Sequence, residues 1–286
     1  TLAIPKWVLK RPMVTLIRGD STFGLKTQNL PSLFLWINKI IEYFGLMFSD
    51  RIITNNTAFQ SEIARRLRRR KQLEIGVLFN SIPAIPDLKL ENISQIRAQF
   101  GIPTEAKVLV TAGILNRGKN IETLLKCLPR VGISNLFLLI IGSGTTKADH
   151  RYLVNLKNLT KTLGLEKKVI FAGWLKKEEL WRIFRGADLF VFPSKREGMP
   201  NVILEALGAD LPCLGSNVPG VMDILQYEEL VFDPLDEEAI AQKIRQMFSE
   251  NLFFDKIKRL CQERKKVFVF DWKEKVSKLV LGESES

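Results

Sequence analysis

Pro193-Ser-Lys-Arg-Glu-Gly-Met-Pro-Asn-Val-Ile-Leu-Glu-Ala-Leu-Gly208 is the stretch from which the rest of the chain can be read. The residues before it, Ala187-Asp-Leu-Phe-Val-Phe192, have the length and the aromatic and β-branched content of a buried strand, and Pro193 ends the run. Pro200 suits a first helical turn, where a missing N–H costs nothing. Val202, Ile203, Leu204, Ala206 and Leu207 then supply the apolar content of a buried helix. Glu197 thus falls in the loop ahead of a helix start, and Glu205 falls inside the helix. Free N–H groups at a helix start, next to the flexible Gly198, suit phosphate oxygens. Glu205 lies roughly 7 Å along the helix axis from Pro200, about the distance from a β-phosphate to the ribose of a nucleoside diphosphate. A carboxylate there could accept from ribose hydroxyls, and Glu197, across the diphosphate, from hydroxyls of a sugar. The spacing alone fits equally a strand-loop-helix unit with two solvated glutamates.

Glu197-Gly-Met-Pro-Asn-Val-Ile-Leu-Glu205, followed by Pro212-Cys-Leu-Gly-Ser-Asn-Val-Pro-Gly220, resembles the Glu-x7-Glu signature of glycosyltransferase family 4, the group 1 glycosyltransferases. The resemblance implies a GT-B fold, α/β with two Rossmann-like domains on parallel sheets. It also implies retaining transfer of a sugar from a nucleoside diphosphate sugar to an acceptor hydroxyl, with Glu197 on the donor sugar and Glu205 on the ribose. Gly198, Met199, Pro200, Asn201 and Val202 would line the donor site between them. The loop Gly113-Ile-Leu-Asn-Arg-Gly-Lys-Asn120 resembles the family's phosphate-binding segment, in which Lys119 would neutralise the diphosphate. That segment's usual Arg is Ile114 and its second Gly is Asn120, so the pyrophosphate would lean on Arg117 or on backbone N–H groups. Gly142-Ser-Gly144 is a further glycine loop after a strand, and Gly173-Trp174-Leu175 matches a place where the family's backbone meets the nucleotide base.

The other strands agree with that frame. Lys107–Thr111, Phe137–Ile141, Lys168–Ala172 and Leu189–Phe192 each run into a loop and then a helix, the pattern of a parallel sheet that binds ligands at the carboxyl ends of its strands. Helices are expected from Asp236 to Phe248 and from about Phe253 to Lys266. Phe270-Asp-Trp272 and the tail to Leu281 resemble the family's last helix, which returns to the first domain. The expected division is therefore 1–88 for the later part of an acceptor-side domain, 89–268 for the donor domain and 269–286 for the returning helix. The opening βαβ unit of a first domain is not found in the sequence.

In that first part, Met13–Ile17, Asp50–Thr54 and Leu73–Phe79 read as strands, with an arginine-rich helix from Thr57 to Lys71. Arg18-Gly-Asp20 stands where family members often carry His-Gly near the reaction centre. Arg18 either replaces that His by stabilising charge or pairs with a local carboxylate. Leu30–Phe48 is apolar and aromatic, but Asn38, Lys39 and Glu42 interrupt it short of a membrane span. It reads as a core helix or one in shallow contact with a membrane.

The chain has 286 residues, 46% apolar and 26% charged, the composition of a globular protein. Three scattered cysteines and a single histidine, His150, give no zinc spacing and no His-based triad, and suit a reducing compartment. No signal peptide is apparent, and no Asp-x-Asp triplet points to a metal, so no cofactor is expected. The net charge of +12 is uneven, with 13 Lys/Arg against 6 Asp/Glu in residues 1–88. The densest part, Arg65-Arg-Leu-Arg-Arg-Arg-Lys71, reads as a solvated helix end, a site for anionic lipid or a lipid-linked acceptor, or a nucleic-acid patch. No aromatic residue is interleaved for base stacking, so nucleic acid is not an expected partner. The expected partners are a nucleotide-sugar donor, a sugar or lipid-linked acceptor and an anionic membrane surface, at the cytoplasmic side. Other classes that fit are a non-catalytic membrane- or nucleic-acid-binding protein on a transferase scaffold and a sugar-nucleotide epimerase of the same architecture.

Overall fold

The structure is a computed structural model that describes residues 13–18, 32–67, 73–86 and 93–281. The loop beyond Arg18, the start of the apolar stretch at Leu30, the cluster from Arg68 to Lys71, Asp87 and the residues after Leu281 lie outside them. The chain divides into two compact units, one running to Asn80 and resuming at Asp271, the other spanning Ser81–Phe270.

In the first unit, β1 (Val14–Ile17), β2 (Arg51–Thr54) and β3 (Glu74–Val77) form a parallel sheet in that order, among the described residues. Helices α1 (Ser32–Met47) and α2 (Thr57–Arg66) are the crossovers that parallel pairing demands. Asn56 caps α2 by accepting from the Phe59 N–H at 2.7 Å. Leu46, Ile52, Ile63 and Leu67 form the core, flanked by Ile17, Met47, Leu73 and Ile75. Beyond Leu46, α1 does not pack as a core helix: Leu33, Phe34, Trp36, Ile37, Ile41, Tyr43 and Phe44 are exposed. The last helix (Trp272–Leu281) belongs to this unit, and Arg51 donates to the Leu279 carbonyl.

The second unit begins with α3 (Ile93–Ala98), then β4 (Lys107–Ala112), a 3-10 turn at Arg117–Lys119, α4 (Ile121–Val131), β5 (Leu136–Ile141), α5 (Lys147–Thr162) and β6 (Val169–Gly173). Next come α6 (Lys177–Gly186), β7 (Leu189–Phe192), α7 (Asn201–Gly208), β8 (Cys213–Ser216), α8 (Pro219–Leu225), β9 (Val231–Phe232), α9 (Glu237–Ser249) and α10 (Asn251–Val267). The closing helix of the chain is α11. Pro200 precedes α7 as its cap residue instead of opening its first turn, since its ψ of 104° is extended. Helix α4 continues past Cys127 with Pro129 inside it. The β8-α8-β9 segment, which the sequence presents only as a motif, completes the sheet.

That sheet is parallel throughout, in the order β6-β5-β4-β7-β8-β9. Strands β4, β5 and β7 are almost wholly buried, as their unbroken apolar runs require, while β6 at the edge is mostly half-buried. Each half winds outward from the middle, so the order reverses between β4 and β7, and the loops leaving these two strands diverge to open a crevice at the sheet's carboxyl edge. Arg97 anchors α3 to this sheet by pairing with Asp188 at 3.0 Å and donating to the Gly186 carbonyl.

Three glycines continue the sheet past its strands. Gly113, Gly142 and Gly173 end β4, β5 and β6 with φ of 143°, 129° and 72°. Gly113 N donates to Ile141 O at 3.0 Å, and Gly142 N to Gly173 O at 2.7 Å. A Cβ on Gly142 would lie 1.9 Å from the Gly113 carbonyl oxygen. Gly142→Ala should therefore lose at least about 2 kcal/mol, from combined backbone strain and overpacking. Gly164→Ala, also at positive φ but with nothing within 4 Å, should lose only about 1–2 kcal/mol. Urea unfolding of both variants tests this, and equal losses would show that the close approach carries no weight.

Candidate functional site

The crevice between β4 and β7 is where two of the sequence-derived candidates meet. Lys119 Nζ lies 2.6 Å from Glu197 Oε1, with the two side chains only 19% and 12% exposed. Lys119 reaches that point by lying over Gly113, whose Cβ would stand 3.5 Å from Lys119 Cε, and its ammonium is 4.9 Å from the centre of the Phe192 ring. Ser194 Oγ contacts the same oxygen, Glu197 Oε1, at 2.6 Å. The other carboxylate oxygen of Glu197 has no hydrogen bond among the described residues.

The loops themselves are tied by backbone. Lys195 N donates to Gly118 O at 2.8 Å, and Ser216 Oγ to Ser194 O at 2.5 Å. A Cβ on Gly220 would stand 1.7 Å from Gly198 O, so the start of α8 needs glycine to come against the Glu197-Gly198 turn. Gly144 has the same function at the start of α5, where a Cβ would meet Asp149 backbone at 2.7 Å. Met199 is buried beneath this loop, while Asn201 is exposed and Val202 half-buried at the start of α7.

Glu205 lies one turn into α7, half-buried, and its carboxylate has no hydrogen-bond partner among the described residues. Burial lifts its pKa above the ordinary carboxylate value, and the charge of Lys177 only partly opposes this. Trp174 is exposed and Leu175 half-buried beside Gly173.

Two further candidates make contacts of their own. Arg117 does not join the Lys119–Glu197 contact. It is exposed and lines an open groove of about 450 Å³ with His150, Arg151 and Asn155 of α5. Arg18, in the first unit, donates to Asn80 Oδ1 at 3.0 Å and lies 5.6 Å from the Trp272 ring, so it pairs with an amide and an aromatic face instead of a local carboxylate. Ser194, whose hydroxyl meets Glu197 Oε1, is a contact that sequence reasoning passed over, although it stands only three residues from Glu197.

The family model for glycosyl transferases group 1 matches residues 92–267, which is most of the second unit and more than half of the chain. The chain belongs to this family. Among its relatives in the family is the uncharacterized glycosyltransferase MJ1607 of Methanocaldococcus jannaschii, 30% identical over 192 residues, 66% of this chain and 47% of that protein. The serotype-specific mannosyltransferase WbdA of Escherichia coli is 24% identical over 239 residues, 82% of this chain and 26% of that one. The chain thus spans about half, or less, of the length of these relatives. The crystal structure of Anabaena HepE in complex with UDP and glucose superposes with a TM-score of 0.82 at 18% identity, covering 98% of this chain and 74% of that one. That likeness establishes the GT-B fold class for this group 1 glycosyl transferase chain.

The raised Glu205 pKa carries a stability consequence. An acid whose folded pKa is raised opposes folding while it is ionised, and the opposition fades as pH falls through that pKa. Glu205→Gln should therefore unfold at a higher temperature than the parent chain at pH 7 without ligand, with the gap closing in acid. Thermal unfolding across pH checks this, and a variant less stable than the parent at pH 7 would contradict it.

Proposed function

We propose that the second unit holds a nucleoside diphosphate sugar in the β4/β7 crevice and that the protein transfers the sugar, with retention, to an acceptor hydroxyl. The observation that carries this reading is the Lys119–Glu197 pair at the point where the strand order reverses, with Glu205 unpartnered one helical turn beyond. Lys119 meets the diphosphate and stabilises the negative charge that grows on it as the sugar departs. Glu197, with one oxygen on Ser194 and one oxygen open, accepts from sugar hydroxyls. Glu205 accepts from the ribose, and the backbone of Gly173-Trp174-Leu175 meets the base. In this reading the charge on the diphosphate is met by Lys119 and backbone N–H groups, with no resident metal. HepE makes UDP the first nucleotide to try. An acceptor in a cell-surface polysaccharide, free or lipid-linked, is suggested by the lipopolysaccharide core biosynthesis glycosyltransferase LpsE of Rhizobium meliloti, 28% identical over 157 residues.

The proposal divides the work of the two glutamates. Glu205→Gln should weaken nucleoside diphosphate binding roughly ten- to a hundredfold, the worth of a charged hydrogen bond of about 1.5–3 kcal/mol. Glu197→Gln should barely change nucleotide affinity while turnover falls. Calorimetry with UDP, GDP and ADP, alongside transfer assays, separates the two. If affinity for all three is unchanged in Glu205→Gln, the ribose role is lost, and equal damage from both substitutions would contradict the division.

The first unit suits a membrane-facing acceptor side. Among the described residues no helix is long and apolar enough to cross a bilayer. Yet α1 exposes Trp36, Tyr43 and Phe44 in the basic part of the chain, where Arg65 and Arg66 end α2. Each basic residue near an anionic surface contributes about 1 kcal/mol, so reversible attachment released by high salt is expected. Co-sedimentation should be strong with anionic vesicles and weak with neutral ones, and should fall for Trp36→Ser/Phe44→Ser and for Arg68→Ser/Arg69→Ser/Arg70→Ser. Equal sedimentation of all three proteins with anionic vesicles would refute the membrane reading.

A further inference from the structure

Asn120 is fully buried and sits in the left-handed region, with φ 56° and ψ 35°, between the 3-10 turn and α4. Few residues other than glycine take this conformation readily, and Asn is the most tolerant of them. A glycine would meet the dihedral demand as well. The side chain does something a glycine cannot. Its Nδ2 donates to Pro193 O at 3.1 Å and to Pro234 O at 2.7 Å, and its Oδ1 accepts from Thr123 Oγ1 at 2.8 Å. Both carbonyls can only accept, so the NH2 end must face them, and both of its hydrogens are used.

These carbonyls belong to the segments that leave β7 and β9, while Asn120 itself ends the segment that leaves β4. One amide thus joins three strand ends. Its chain neighbour on one side is Lys119. Pro193 leads directly into Ser194, whose hydroxyl holds Glu197 Oε1. The same strap therefore fixes both backbone stems that carry the ion pair of the crevice.

We propose that Asn120 is a positioning residue of the donor site, setting the place of Lys119 relative to the β7 loop so that its ammonium meets the distal phosphate of a nucleoside diphosphate. This rests on the reading of Lys119 given above. A cation displaced by even about 1 Å loses much of its value to a bound or reacting group.

The test compares diphosphate with monophosphate binding. UDP and UMP, with GDP/GMP and ADP/AMP in parallel, are titrated calorimetrically into the parent chain and into Lys119→Ala, Asn120→Gly and Asn120→Asp, with folding checked by circular dichroism. The parent should prefer the diphosphate by about tenfold or more, and Lys119→Ala should abolish most of that preference. Asn120→Gly, which keeps the backbone free to adopt its dihedrals, should lose most of the preference while its monophosphate affinity holds. Asn120→Asp, which turns an oxygen toward the two carbonyls, should lose it too. A merely structural Asn120 would lower the melting temperature and leave the diphosphate-to-monophosphate ratio alone. If the ratio falls in Lys119→Ala but is unchanged in both Asn120 variants, the strap is refuted on its own. If Lys119→Ala leaves the ratio untouched, the reading of Lys119 fails and the strap falls with it.

Discussion

The reversal of strand order between β4 and β7 is the constraint on which the second unit turns. Neighbouring strands of a parallel sheet are normally joined on one side by their own crossover helices. At a reversal the helices turn away in opposite directions, and the strand ends are left with loops alone to cover them. Here those loops are drawn together by their own side chains and main chain, not by a helix. Lys119 and Glu197 meet across the gap at 2.6 Å, Lys195 N and Ser194 Oγ both donate to the Gly118 carbonyl, and Asn120 donates to that of Pro193. The groups that meet there have their positions set from several strand ends at once.

An ion pair in such a place is not chiefly a source of stability. Withdrawing two charges from water costs about as much as their attraction returns, while removing one partner leaves the other buried and uncompensated. Under the proposed function the pair is a placeholder: a diphosphate would offer Lys119 an anion of greater charge, and Glu197 would then accept from neutral hydroxyls. Ser194, which meets the same oxygen, would hold Glu197 in position through that exchange. Glu205 is the opposite case, a half-buried carboxylate with nothing to accept from among the described residues, raised in pKa by that burial.

Much of this was legible in the sequence because strands β4, β5 and β7 of the second unit are almost wholly buried and so read as apolar runs, with glycine or proline at each exit. Lys119, Glu197 and Glu205 could be named through the resemblance of their two motifs to the group 1 family, since spacing alone fitted solvated side chains equally well. The direction of Arg117 was not legible, because sequence proximity to Lys119 says nothing about which way a side chain leaves a 3-10 turn; it lines a groove with residues of α5. Strands β8 and β9 were hidden by their shortness, four and two residues. Asn120 was passed over because its contacts to the Pro193 and Pro234 carbonyls are long-range and no local pattern encodes them, and Ser194 because a loop spacing does not say which way a hydroxyl turns. Helix α1 stays open between core and surface in the sequence, because composition cannot tell a helix whose apolar face is covered from one whose face is exposed.

The glycines that close β4, β5 and β6 hold their loops by main chain alone, and each is followed at once by a residue with a side chain in reach of solvent: Ile114, Ser143 and Trp174. Framework and variation thus alternate along the chain, one position apart. A side chain at Gly142 would press on the ladder itself, 1.9 Å from the Gly113 carbonyl oxygen, whereas the residue after each glycine meets solvent beside it. Substitution at the second member of each pair therefore changes what the surface presents at little cost to folding.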